Sequence, residues 1–256
     1  MTAVVVTGVA GLIGGRIADV LTERGIDVIG VDVVAPEPGR WSRTVQVDLT
    51  DEAAVRRAAD VVHAGLGGID AIVHAAAVTG RSTTLGTHTL RTVDLDLWRR
   101  VLDVNLTGAL VGLREFGALL RTGGSAQILV VGSIQGLVPT LGSSAYAVSK
   151  AALTGLVRQL AAELAPDGIR VNMVSPGPVA DADELERLRA AGTDDTPTPL
   201  GRFDRPREMA EAIADLVTGS FGYMTGVVIP IDGGEHLRPR SGPQRAHSGA
   251  GGAGDA

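Results

Sequence analysis

The chain has 256 residues, 45% of them hydrophobic, no cysteine and a formal net charge of -6 at pH 7. That length can bury the core of one α/β domain or two small ones. The lack of cysteine excludes a disulfide framework, a thiolate metal site and a thiol nucleophile, and the acidic balance argues against a nucleic-acid partner.

An apolar run at residues 3–6 is the first predicted strand. It has no basic leader before it and no long apolar span, so the expected setting is cytoplasmic, without a membrane partner. The glycine-rich T-G-V-A-G-L-I-G-G of residues 7–15 follows and leads into a helix over 13–24. Strands at 27–31 and 44–47, a helix at 51–63 and a strand at 71–74 come next. A long helix over 97–121, a strand at 127–131, a helix at 144–164 and a strand at 170–174 continue the alternation, which ends with a helix at 207–216 and a strand at 227–231. Strand and helix in turn argue a parallel sheet with helices on both faces, and right-handed crossovers make it a doubly wound, Rossmann-like α/β fold. The strands read as Val/Ile runs without polar alternation, as burial on both faces requires.

Two irregular stretches break the pattern, 78–94 and 179–200, the second holding a short charged helix at 182–190. Both follow strands, at the sheet end where such folds bind ligands, and their length suits lids. The Gly/Pro/Ser/Arg-rich stretch 238–256 reads as a disordered tail beyond a single domain of residues 1–237.

Glycines at the density of residues 7–15 cost backbone entropy, so a ligand held against bare backbone is the natural reason for them. Gly8 starts a tight turn, Gly11 lets backbone approach a pyrophosphate, and Gly14 lets the new helix pack on the sheet with its N-terminus, around Leu12 and Ile13, facing the phosphates. Alone, such a turn is common after strands. Asp32, at the end of the second strand, adds a carboxylate about 20 residues on, where a ribose would be held. A carboxylate accepts from a ribose 2′-OH and repels a 2′-phosphate, and Val9, Ala10, Val33 and Val34 stand where a phosphate-preferring site would offer a cation. NAD(H) is therefore expected over NADP(H), although Asp32 is also read as a plain strand end.

Of 23 basic residues only Lys150 is a lysine, and it lies four residues after Tyr146 in S-S-A-Y-A-V-S-K-A-A-L. On a helix the two share a face. A free tyrosine has a pKa of about 10, and a nearby ammonium favours its phenolate. Tyr-x-x-x-Lys is also found on solvated helix faces.

This segment resembles the Tyr-x-x-x-Lys of the short-chain dehydrogenase/reductase family, and other pieces fall in that family's order. V-G-S-I-Q-G places Ser133 thirteen residues before Tyr146, V-L-D-V-N-L-T-G supplies Asn105, V-D-L supplies Asp48 and Leu49, and S-P-G-P-V supplies Pro176, Gly177 and Val179. P-L-G-R-F-D-R-P-R-E-M-A and T-G-V-V-I-P-I-D-G-G resemble its closing segment. The resemblance implies Tyr146 as general acid/base, Lys150 as its activator and ribose contact, Ser133 as the group polarising the substrate oxygen, and Asn105 as the anchor of a water that relays protons through Lys150. It also implies that Asp48 and Leu49 flank the adenine, that Ala75 and Ala76 touch the adenosine side, and that Gln135 and Leu137 line the substrate pocket. No metal is required. Ser133 and Asn105 also read as ordinary polar residues.

Departures are visible. Leu12 stands where the compact branch of the family has its middle glycine, a spacing nearer the extended branch, and its side chain would crowd the pyrophosphate. H-A-A-A at 74–77 replaces N-A-G, with His74 read as a structural substitute. Asp181 stands where a carboxamide-contacting threonine is usual. Arg81, His88 and Arg91, in the long loop, would meet an anionic substrate or simply solvent. The expected activity is alcohol/ketone interconversion on a small-molecule substrate by a homotetramer or dimer. Two alternatives stand beside it: a ketoreductase for carrier-linked 3-oxoacyl chains, and a non-catalytic nucleotide-binding protein of the same fold.

Overall fold

Residues 2–35, 39–79, 91–124, 126–190, 192 and 198–237 are described by a computed structural model. The first strand, β1 (Ala3–Thr7), leads through the glycine turn into α1 (Leu12–Glu23), and the chain returns as β2 (Asp27–Asp32) and β3 (Arg43–Gln46). Next come α2 (Glu52–Leu66), β4 (Ala71–His74), α3 (Leu95–Leu102) and α4 (Gly108–Gly117). The second half holds β5 (Gln127–Val131), α5 (Ser144–Leu164), β6 (Arg170–Pro176), α6 (Ala182–Ala190), α7 (Pro206–Thr218) and β7 (Val228–Ile231). All seven strands pair in parallel in the order β3-β2-β1-β4-β5-β6-β7. The order reverses between β1 and β4, and the crevice at such a reversal is where open α/β sheets bind ligands.

Alternate residues of each inner strand feed opposite layers, which is why those strands are mostly apolar, while the edge strand β3 carries Arg43, Thr44 and Gln46. Val5, Ile29, Ile72 and Ile128 pack with Val55 of α2, Phe116 of α4 and Leu153 of α5. Val4, Val6, Val28 and Leu129 pack with Ile17 and Leu21 of α1 and Met209 and Ile213 of α7. Each fully buried side chain of this size contributes about 1.5–3 kcal/mol.

The long helix expected over 97–121 is a correction. It starts at Leu95, because Asp94 Oδ1 accepts from the Asp96 and Leu97 amides. It is then interrupted by a π-turn at Asp103–Thr107 and ends at Gly117. Leu120 instead bridges to Ile69 beside the sheet. Helix α2 runs three residues past its expected end, to a left-handed Gly67 cap. Residues 80–90 of the long loop, with Arg81 and His88, residues 191 and 193–197 of the second irregular stretch, and the tail 238–256 lie outside the described residues.

Candidate active site

The glycine turn is shaped by close backbone contact. Gly8 has φ +77, and a Cβ there would stand 2.6 Å from the backbone of Ala76. A Cβ on Gly14 would stand 2.2 Å from the Gly8 carbonyl oxygen, so α1 packs on the strand end only without one. Gly11 is the N-cap of α1, with no side-chain cap and no acid in the first turn. The positive end of that helix therefore stays open to an anion. Contrast α2, closed by the Asp51 carboxylate with Glu52 behind it.

Beside this turn lies a cavity of about 230 Å³ lined by Gly8, Gly11, Asp32, Asp48, Leu49, Ala75 and Ala76, all expected from sequence. Asp32 Oδ2 accepts from Ala10 N at 2.9 Å and Oδ1 from Val34 N at 3.0 Å, which fixes the carboxylate and leaves lone pairs for hydroxyl donors. Asp48 accepts from the Thr50 amide at 2.9 Å and hydroxyl at 2.8 Å, and these bonds hold its carboxyl below the usual range. Arg100 and Val104, one helical turn apart, also line the cavity and were missed; nothing in the sequence marked Arg100.

A second cavity of about 240 Å³ adjoins Ile13 and is lined by Ser133, Gln135, Ser143, Tyr146, Pro176, Gly177 and Val179. Ser133 caps a short 3₁₀ turn, its Oγ accepting from Gln135 N at 3.2 Å. That contact uses an acceptor lone pair and leaves the hydroxyl hydrogen to donate elsewhere. Val179 is pinned by a bridge to Asp204. Ser143, the N-cap residue of α5, was missed, although its place just before Y-A-V-S-K was a signal.

Lys150 sits behind this wall, 2% exposed, donating to the Val131 carbonyl at 2.9 Å. Burial lowers its pKa from 10.5 to about 8. Its Nζ lies 5.6 Å from the centre of the Tyr146 ring, so the sequence spacing does bring the two together. Asn105, fully buried in the π-turn, accepts from Val78 N at 2.8 Å and donates to Val78 O and Ser149 Oγ, both at 3.0 Å. Ser149 in turn donates to the Tyr146 carbonyl at 2.7 Å. The Asn105 side chain is thus a clip joining the segment after β4 to the Tyr146 turn.

Three expectations change. Leu137 does not line the second cavity: it caps the 3₁₀ turn and is 40% exposed, carried outward as the chain leaves the turn. Leu12 lines neither cavity; at the first position of α1 its side chain is 44% exposed, and only its backbone faces the open helix end. Asp181 is engaged as a cap, accepting from Glu184 N at 2.8 Å at the start of α6. His74 is wholly buried with Nδ1 3.0 Å from Thr7 Oγ1, and burial, with the Lys150 charge nearby, lowers its pKa to about 3. Thr7 Oγ1 also accepts from Ala76 N at 3.3 Å, so His74 ties β4 to the glycine turn as a neutral ring.

A family model described as enoyl-(acyl carrier protein) reductase matches residues 8–236. The chain is 36% identical to the cis-4-hydroxycyclohexanecarboxylate dehydrogenase of Sinomonas cyclohexanicum, over 90% of this chain and 94% of that protein. The chain belongs to the short-chain dehydrogenase/reductase family. Another relative is the rhamnolipids biosynthesis 3-oxoacyl-[acyl-carrier-protein] reductase of Pseudomonas aeruginosa, 34% identical over 91% and 95% of the two chains. Among solved structures, the ligand-free aldohexose dehydrogenase of Thermoplasma acidophilum superposes with a TM-score of 0.82 at 25% identity, covering 94% of this chain and 96% of that one. As a short-chain dehydrogenase/reductase, the protein is an oxidoreductase of a family that uses NAD(P) cofactors. None of its described helices is long and apolar enough to cross a membrane.

Proposed function

We propose that this short-chain dehydrogenase/reductase interconverts a secondary alcohol and a ketone with NAD(H). The observation that carries the reading is the buried Lys150 ammonium 5.6 Å from the Tyr146 ring, with Tyr146 and Ser133 both lining the second cavity. The described residues fit a dinucleotide: the uncapped end of α1 suits a pyrophosphate, and the Asp32 carboxylate faces the first cavity. Gly8, Gly11, Leu12 and Ile13 would hold the phosphates by backbone, Asp32 the adenosine ribose, and Asp48, Leu49, Ala75 and Ala76 the adenine side. Pro176, Gly177 and Val179 would meet the nicotinamide. When bound, the nicotinamide supplies the hydride acceptor for oxidation and the hydride donor for reduction.

In oxidation, Tyr146 as phenolate takes the hydroxyl proton while the C–H bond breaks with its electron pair; in reduction it returns that proton to the oxygen. Lys150 favours the phenolate by its charge and would bond the nicotinamide ribose. Ser133 donates its hydroxyl hydrogen to the substrate oxygen. Asn105 positions the Tyr146 turn. NAD(H) over NADP(H) is supported by the Asp32 carboxylate and by the pairing of Arg16 and Arg40 with Asp19, at 3.5 Å and 2.8 Å, although Arg100 also lines the first cavity. We further propose one domain over residues 1–237, a cytoplasmic setting and a homotetramer, supported by exposed Leu110 and Val148 on α4 and α5 and tested by sedimentation.

The deciding experiment compares NADH and NADPH binding, then screens secondary alcohols and ketones with wild type and Tyr146→Phe. Retained NADH binding with turnover lowered about 10²–10⁴-fold is expected. Equal turnover by the variant, or NADH binding without turnover of any substrate, refutes it. The Pseudomonas relative favours a second reading, a carrier-linked 3-oxoacyl reductase; faster reduction of a carrier-bound 3-oxoacyl thioester than of free ketones would establish that instead.

A further inference from the structure

The second cavity offers five polar side chains, Thr79, Ser133, Gln135, Ser143 and Tyr146. One reacting oxygen engages two of them, Ser133 and Tyr146, on the reading given above, on which this inference rests. Of the other three, Thr79 is exposed, which leaves Gln135 and Ser143 as the polar groups to be matched inside. The backbone N–H of Gln135 is spent on Ser133 Oγ, but its side-chain Oε1 is buried and has no hydrogen-bond partner among the described residues. Ser143 occupies the N-cap of α5 without its hydroxyl making a cap bond. A buried acceptor left unmatched is costly, and a site built around one discriminates for a ligand that fills it.

We infer that the substrate carries a second hydroxyl beside the reacting carbon: a vicinal diol in the oxidation direction and its 2-hydroxyketone in reduction. Gln135 stands two residues from Ser133 and lines the same cavity, so the group it meets belongs near the reacting carbon. The oxygen and nitrogen of a glutamine amide are interchangeable by rotation, so the buried atom is either an acceptor or a donor. A carboxylate satisfies only the donor and an ammonium only the acceptor. A hydroxyl satisfies either, and its remaining valence suits the Ser143 hydroxyl.

The test uses matched pairs: cyclohexane-1,2-diols against cyclohexanol, and butane-2,3-diols against butan-2-ol, all stereoisomers, with NAD⁺. Wild type should show a kcat/KM at least about 10-fold higher for the diol of a pair, as one hydrogen bond in a water-poor site provides. In Gln135→Leu, and in Gln135→Met should that variant alone fold, the diol-to-alcohol ratio should fall to within about 3-fold, with NADH binding confirming an intact cofactor site. Equal rates on both members of a pair in wild type, or a ratio unchanged by both substitutions, remove the second hydroxyl and leave the alcohol/ketone reading standing. Turnover of no member of any pair, with NADH bound, removes both.

Discussion

Replacing Lys150 by methionine removes the only ammonium of the chain's side chains while keeping a flexible, unbranched stem in the same space. Burial lowers the folded-state pKa of Lys150 from 10.5 to about 8. Between those values the unfolded chain holds a proton that the folded chain has released, so wild-type stability rises with pH across the window. The difference between 10.5 and about 8, at about 1.36 kcal/mol per pH unit, amounts to about 3 kcal/mol. Lys150→Met escapes that penalty below pH 8, less about 1–3 kcal/mol for the Val131 carbonyl that loses its 2.9 Å partner. Its stability relative to wild type must then fall by about 3 kcal/mol as the pH climbs to 10.5. Melting temperatures of both proteins across that range are the assay. At about 2–4 °C per kcal/mol for a domain of this size, the melting temperature of the variant should fall relative to that of wild type by about 6–12 °C across the window. Turnover should fall about 10²–10⁴-fold throughout. Melting curves that stay parallel with pH would show that the ammonium is not held against a desolvation penalty, and the argument for its placement would fail.

Gly8→Ala forces a side chain into φ +77 with a Cβ 2.6 Å from Ala76 backbone; a loss of about 3 kcal/mol, read as a melting drop of about 6–12 °C, is expected. His74 titrates at 6.5 when exposed and at about 3 when folded, so the unfolded state binds the extra proton and wild type weakens as pH falls below 6.5. His74→Asn should spare about 2 kcal/mol of the loss between pH 6.5 and about 5, visible as a flatter melting-temperature profile; identical profiles would contradict the buried neutral ring. Asp32→Asn should weaken NADH binding about 10-fold or more and narrow the difference from NADPH, measured by fluorescence titration with each.

The inner strands β1, β2, β4 and β5 were legible because they are buried on both faces and so written largely in Val and Ile, whereas the edge strand β3 is mostly exposed and carries Arg43, Thr44 and Gln46. Helix α5 was legible over its full length because Ser144–Leu164 carries no proline and only one interior glycine, Gly155, among good helix formers. The π-turn at Asp103–Thr107 was not: it accompanies bonds from Asn105 to Val78 and Ser149, residues distant in the chain. The early end of α4 was hidden for a related reason, since Leu119 and Leu120 continue the apolar pattern while the Leu119 carbonyl pairs with Ile69. In the site, Asp32 and the Tyr146–Lys150 pair could be placed from spacing, and Ser133 from the family resemblance. The tie from Thr7 to His74 spans 67 residues, and no local pattern announces it. Leu137 was misplaced because proximity in sequence to Ser133 does not say which way a side chain leaves a 3₁₀ turn.

The arginine bias has a practical corollary. With the sole lysine side chain 2% exposed, the surface presents no ε-amine to acylating reagents or to enzymes that attach tags to lysine. Apart from the chain terminus, an amine-directed label can mark this protein only at Lys150, and only when the turn around it opens. The molecule therefore carries its own single-site reporter of breathing at that turn, readable by mass spectrometry.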